Sequence, residues 1–316
     1  MMKKVLLIYI LVCGWISLSA QQEAQFTQFM FNQVFYNPAA AGMNDAVNFT
    51  GIYRQQWVGF KDSKGNSVNP HSFLVNTDGP VKFLHGGMGL SVMQDLLGFD
   101  SKLRVNLDYC YKFYIGKGTF ALGAQLMFLN LKRDFSKFEV LEQGDPLFMN
   151  KGIQSTMLTD FGAGFLYIIP SKFNISLSTT QLSEAKAILE GESTVKLKRH
   201  YFLTSVYRYT LASDERWEIE PSVFVESELI STQFDLSCLL INKNTFWGGL
   251  GYRNQDAVMI MLGIDYHGFR IGYAYDWTTS GMKKAGSMGS HEIMLNYLLK
   301  IEQKPSMTRY KNARYM

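Results

Sequence analysis

Val258-Met259-Ile260-Met261-Leu262-Gly263-Ile264-Asp265-Tyr266-His267-Gly268-Phe269-Arg270-Ile271-Gly272-Tyr273-Ala274-Tyr275-Asp276-Trp277 reads as two strands joined by a two-residue turn. Successive side chains of a strand point to opposite faces. In the first half Val258, Ile260, Leu262, Ile264 and Tyr266 share one face, and Met259, Met261, Gly263, Asp265 and His267 the other. In the second half Phe269, Ile271, Tyr273, Tyr275 and Trp277 oppose Arg270, Gly272, Ala274 and Asp276. One face of each strand is thus continuously apolar and aromatic, and the opposite face mixes methionines with small and charged residues. That is the pattern of a wall with lipid on one side and a lumen on the other. His267-Gly268 supplies a tight hairpin turn.

Working outward, Phe246, Gly248, Leu250 and Tyr252 alternate with Trp247, Gly249, Gly251 and Arg253 in the same way. The same reading places strands near 46–58, 70–78, 86–94, 103–113, 119–129, 159–168 and 173–181. It continues near 199–211, 216–227, 232–240, 245–254, 258–267, 269–277 and 291–302. The expectation is an all-β, antiparallel transmembrane barrel of about fourteen strands, an even number as bacterial barrels require. The connections 115–118, 170–172, 212–215, 242–244 and 267–268 are compact and rich in turn formers, and would be periplasmic. The longer stretches 130–158, 182–198 and 278–290 fall on the opposite side, suited to the cell surface, with short links there near Ser227 and Asn254. On this reading both chain ends lie in the periplasm.

Composition agrees: aromatics are 14% and charged residues 18%, against roughly 25% charged in soluble domains. The formal charge of +4 is mild and partly terminal, so no nucleic-acid surface is implied. Met1-Met2-Lys3-Lys4, an apolar run from Val5 to Leu18 and Ser19-Ala20 form the layout of a secretory signal. The run is short of the roughly twenty residues a spanning helix needs. Cys13 within it would suit a lipoprotein only with a small residue before it, and Val12 stands there. The expected organisation is a signal peptide over 1–20, an N-terminal plug-like segment over 21–45, a barrel over 46–302 and a basic periplasmic tail over 303–316 carrying Arg309, Lys311 and Arg314. Cys110 and Cys238 fall on opposite faces and are expected to be free thiols.

Phosphate loops, zinc helices, CxxC pairs, calcium loops and nucleophile elbows are not found in the mature sequence. The histidines His71, His85, His200, His267 and His291 mostly fall at strand ends, and His291-Glu292 would point to opposite faces of a strand rather than at one metal. The glycine clusters 86–89 and 248–251 read as places where the wall bends or aromatics pack. No enzyme, cofactor or metal is expected. Arg54, Arg104, Asp108, Lys112, Arg253, Asp265, Arg270 and Asp276 would face the lumen, either cross-bridging it or contacting a polar conduit or plug.

The order of several short motifs carries a resemblance. Asn37-Pro38-Ala39-Ala40-Ala41-Gly42 follows a Gln- and aromatic-rich start, then Tyr53-Arg54-Gln55-Gln56-Trp57 and Pro70. Asp160-Phe161-Gly162-Ala163-Gly164, Trp247-Gly248-Gly249 with Tyr252-Arg253, Gly272-Tyr273-Ala274-Tyr275-Asp276 and Ser290-His291-Glu292-Ile293 come later. In these features the chain resembles the PorP/SprF outer-membrane proteins of the Bacteroidetes type IX secretion system. The resemblance implies a FadL-like barrel embedded in outer-membrane lipid. It would act beside the translocon to receive, help export or anchor secreted proteins through their C-terminal sorting domains, gliding adhesins being the best-known class. It also implies periplasmic neighbours in the secretion or gliding apparatus, among them OmpA-like proteins. Asn37, Pro38, Ala39 and Gly42 would belong to the plug motif, and Tyr275, His291 and Glu292 to a motif strand. The alternative is a FadL-like passive channel for hydrophobic or small polar compounds, since Asn-Pro-Ala near the N-terminus is also similar to those transporters.

Overall fold

The structure is a computed structural model describing residues 23–44, 46–62, 65, 67–137, 152–188, 194–243 and 245–300. The signal region, the tail with Arg309, Lys311 and Arg314, and the stretch 138–151 lie outside the described residues.

Seven strands come first: β1 (Ala46–Gln55), β2 (His71–Val81), β3 (Gly86–Leu97), β4 (Asp100–Ile115), β5 (Gly118–Asp134), β6 (Ile153–Ile169) and β7 (Phe173–Thr180). A small hairpin follows, β8 (Lys186–Ile188) with β9 (Thr194–Lys196). The second half is β10 (His200–Tyr207) continued by β11 (Tyr209–Thr210), then β12 (Trp217–Ser227), β13 (Thr232–Asn242), β14 (Phe246–Arg253), β15 (Ala257–Tyr266), β16 (Phe269–Thr278) and β17 (Ser290–Lys300). Counting β10 and β11 as one strand, fourteen strands pair antiparallel in sequence order, and β1 pairs with β17. The sheet therefore closes on itself without an edge strand, the condition for crossing lipid with strands. Among the described residues no helix is long and apolar enough to cross a membrane.

The decisive parity holds along the wall. Leu250 and Leu262 are 63% and 58% exposed on the outer surface, whereas Trp247 and Arg253 are 2% and 1% exposed inside. Cys110 is buried and Cys238 faces outward, both as free thiols. The Tyr266–Phe269 register is closed by His267 at φ 48° and Gly268 at φ 86°, two left-handed residues whose twist matches that of a hairpin.

Ala46 pairs with Lys300 at what is here termed the near end, and Gln55 with His291 at the far end. Near-end connections span 82–85, 116–117, 170–172, 211–216, 243–245 and 267–268, all compact. The far end carries 56–70, 135–152, 181–199 and 279–289. The sequence reading leaves a gap over 95–102 at that end. The structure closes it to a two-residue turn, because Asp95 to Leu97 and Asp100 to Lys102 extend the β3–β4 ladder. In β8–β9 it also reveals strands too short for periodicity to register.

The lumen and its two mouths

The N-terminal segment occupies the interior. Phe26, Phe29, Val34, Phe35, Tyr36, Ala39 and Ala41 are buried, in short helical turns over Phe29–Phe31, Gln33–Tyr36 and Pro38–Ala40. Its aromatics meet inward residues of the wall: Phe29 and Tyr36 stack on Phe224 at 5.1 and 4.7 Å, and Phe31 on Trp247 at 4.9 Å. The Tyr36 hydroxyl accepts the Phe26 N–H at 2.9 Å and folds the segment back on itself.

A polar clasp holds the segment toward the far end. Register aligns Arg54 of β1 with Glu292 of β17, and Glu292 with Ala274 of β16, so Arg54, Glu292 and Asp276 share one inward patch. Arg54 Nη2 lies 2.6 Å from Asp276 and its Nη1 3.2 Å from Glu292. Arg253 reaches Asp235 at 2.9 Å and Asp276 at 3.2 Å. The Thr27 hydroxyl donates to Asp276 at 2.8 Å and accepts from Arg54 at 2.8 Å. Glu292 accepts the backbone N–H groups of Thr27 and Gln28 at 2.7 and 2.9 Å. All these side chains are nearly fully buried. A buried charge is tolerable only when paired and hydrogen-bonded, and here the segment itself supplies part of the pairing.

Glycines on the inner wall give the rest of the segment its seat. The Asn37 amide donates to the Phe165 carbonyl at 2.9 Å, and its Oδ1 accepts from Ala39 N–H at 2.8 Å. A Cβ on Gly164 would strike Asn37, one on Gly123 the Pro38–Ala39 backbone, and one on Gly87 the Ala41–Gly42 backbone. Gly42, at φ +62°, gives its N–H to Asp78 at 2.8 Å and its carbonyl to Lys112. Thus the glycines at 87, 123 and 164 make room for a chain rather than bend the wall.

Of the residues singled out by sequence, Arg54, Arg253 and Asp276 converge in the clasp, and Asn37, Pro38, Ala39 and Gly42 line the seat. Arg270 stands apart near the other mouth, half-buried, paired with Asp265 at 2.5 Å and lying 4.4 Å from the Phe31 ring centroid. In the motif strand, Glu292 points inward while His291 points outward, 2.7 Å from the Tyr273 hydroxyl and beside the Tyr275 ring. Sequence reasoning missed Thr27, Gln28 and Asp235, and took Glu292 as a motif residue without its role as acceptor. The inward parity of Glu292 and Asp235 was the available signal. Asp160, named in sequence only as part of a motif, has a further role: its carboxylate accepts from Ser183 and Ala185 N–H at 2.8 and 2.9 Å and docks the chain leading into the β8–β9 hairpin at the far mouth. Leu197 of that loop packs on Leu129, Leu158 and Met127.

Each mouth holds a recess. Glu23, Ala24, Lys102, Arg133, Leu131 and His200 help line a cleft of about 240 Å³ at the far mouth. A cup of about 490 Å³ at the near mouth is lined by Phe31, Arg208, Arg270, Asn296 and Lys300 among others.

Residues 18–297 match the family described as type IX secretion system membrane protein PorP/SprF. The chain belongs to the PorP/SprF family. This PorP/SprF barrel is accordingly an outer-membrane component of the type IX secretion system. No curated protein matches it. Among solved structures it is similar to the Pseudomonas putida toluene transporter TodX, with 10% identity over 88% of this chain and 95% of that one at a TM-score of 0.47. The monoaromatic hydrocarbon channel CymD gives 8% identity over 86% and 93% at 0.48. Acinetobacter baumannii outer membrane protein Omp33 gives 7% over 81% and 98% at 0.42.

Proposed function

We propose that this barrel is a docking station beside the translocon, receiving or anchoring particular secreted proteins through their C-terminal sorting domains. In this reading the N-terminal segment plugs the lumen and the far-end connections form the cargo platform. Both ends of the barrel-forming stretch, Ala46 and Lys300, face the periplasm, where the basic tail meets envelope partners. The observation that carries the reading is the clasp: Thr27 and Gln28 donate hydrogen bonds to the carboxylates of a buried Arg54–Asp276–Glu292 cluster, which would lose these donors if the segment departed. A segment that completes the hydrogen bonding of the wall from inside suits a scaffold better than a pore. The experiment deletes residues 144–152 and measures cargo retention at the cell surface. Lost retention with normal barrel assembly supports the platform; unchanged retention counts against it.

A passive channel is the second reading. It is favoured by a polar strip beside the segment, where Ser91, Asn106, Asp108 and Gln125 are buried with atoms that lack protein partners. Such a strip could be hydrated and pass small solutes. Liposome swelling separates the two: solute entry favours the channel, tight vesicles the dock.

A further inference from the structure

The direction of the N-terminal segment separates the two ends of the chain. Ala46, where the segment joins β1, stands at the near end beside Lys300. Just before it, Ala41 and Gly42 contact Gly79, Gly87 and Lys112, all at the near ends of their strands. Going backward along the chain, Asn37 and Ala39 touch Gly164 and Gly123, deeper in the wall. Thr27 and Gln28 reach Asp276 and Glu292, both within three residues of the far ends of β16 and β17. Gln25 donates to Glu226, next to the far end of β12, at 2.8 Å. Glu23 pairs with Arg104 and accepts from Gln181 at 2.6 Å; Arg104 is near the far start of β4, and Gln181 follows the far end of β7.

We infer that the segment threads the whole barrel, so that the chain enters at the far mouth and leaves at the near mouth. The start of the mature chain and its C-terminal strand then open on opposite sides of the membrane. This replaces the expectation that both termini are periplasmic. Glu23 and Ala24, which line the far cleft, become part of the recognition surface that an exported polypeptide meets. This last step rests on the docking reading and its orientation; the threading does not. The segment is also the continuous covalent link from the far cleft to the near cup, whose lining includes Met30 and Phe31.

The test uses the full-length protein in outer membranes, with Gln22→Cys and Ser306→Cys made separately. Cys110 is buried and Cys238 faces lipid, so neither competes for an aqueous, membrane-impermeant maleimide. Gln22→Cys labels on intact cells, and Ser306→Cys labels at least tenfold more after permeabilisation. The reverse pattern keeps the threading but overturns the proposed orientation. Labelling of both sites on intact cells, or of both only after permeabilisation, overturns the threading. A second measurement tests the placement of Glu23 directly: Glu23→Cys with Gln181→Cys, whose native side chains meet at their tips, cross-links with a short bis-maleimide that spans the two shortened side chains in the folded, heat-modifiable barrel. A folded barrel without that cross-link overturns the inference.

Discussion

The Arg54 guanidinium stands 2.6 Å from the Asp276 carboxylate, with the Thr27 hydroxyl bridging the two from inside the lumen. Wall and N-terminal segment are therefore one electrostatic unit. Removing one partner of a buried pair costs about 3–5 kcal/mol, because the remaining charge stays buried. Arg54→Leu should lower the unfolding free energy by that order, seen as a lower midpoint in a urea titration followed by heat-modifiable mobility. Arg216→Leu, which breaks the exposed Arg216–Asp214 pair, should leave the midpoint unchanged.

Gly164→Ala and Gly123→Ala should release the segment. Their new methyl groups would overlap the Asn37 side chain and the Pro38–Ala39 backbone, so the segment must shift to admit them. Limited proteolysis of purified protein should then cut between residues 30 and 45, where the unsubstituted protein resists. Gly248→Ala is the control: its added methyl meets the tip of Leu262 at 3.3 Å and the Met261 carbonyl oxygen at 3.5 Å, with no contact to the N-terminal segment among its nearest atoms. Cutting in the control as well would refute the assignment of the seat.

Ile260→Arg places a charge on the outer wall near the middle of β15. At membrane mid-depth such a substitution costs about 2–4 kcal/mol. Refolding into lipid vesicles under a urea titration should show a loss of that size, and a loss near zero would mean that this face does not meet lipid.

Gly268→Val tests the hairpin on which the fold reading began. At φ +86° a β-branched residue is strained, and left-handed conformations cost roughly 1–2 kcal/mol for residues with a Cβ. Gly268→Asn should refold at nearly the unsubstituted yield and Gly268→Val at a visibly lower one.

The wall was legible because lipid and lumen impose a two-residue period that no neighbouring element interrupts. That is why Val258 to Trp277 reads correctly in isolation. Charges follow the same parity, so Arg54, Arg253 and Asp276 were placed inside before their partners were known. Thr27 and Gln28 were illegible as clasp residues, since their role depends on a segment without periodicity packing against strands some 250 residues away in sequence. Gly123 and Gly164 look like any strand glycines until the chain they accommodate is seen. The β8–β9 hairpin is too short to show alternation, and its dock on Asp160 is made by backbone groups that leave no mark in the sequence.

The central claim is that the N-terminal segment fills the lumen and turns a barrel into a dock. Planar-bilayer conductance of the purified full-length protein tests it most directly, beside a variant lacking residues 23–42. The account predicts no steady conductance from the full-length protein and discrete open steps from the variant. Steady conductance of similar size from both would contradict it.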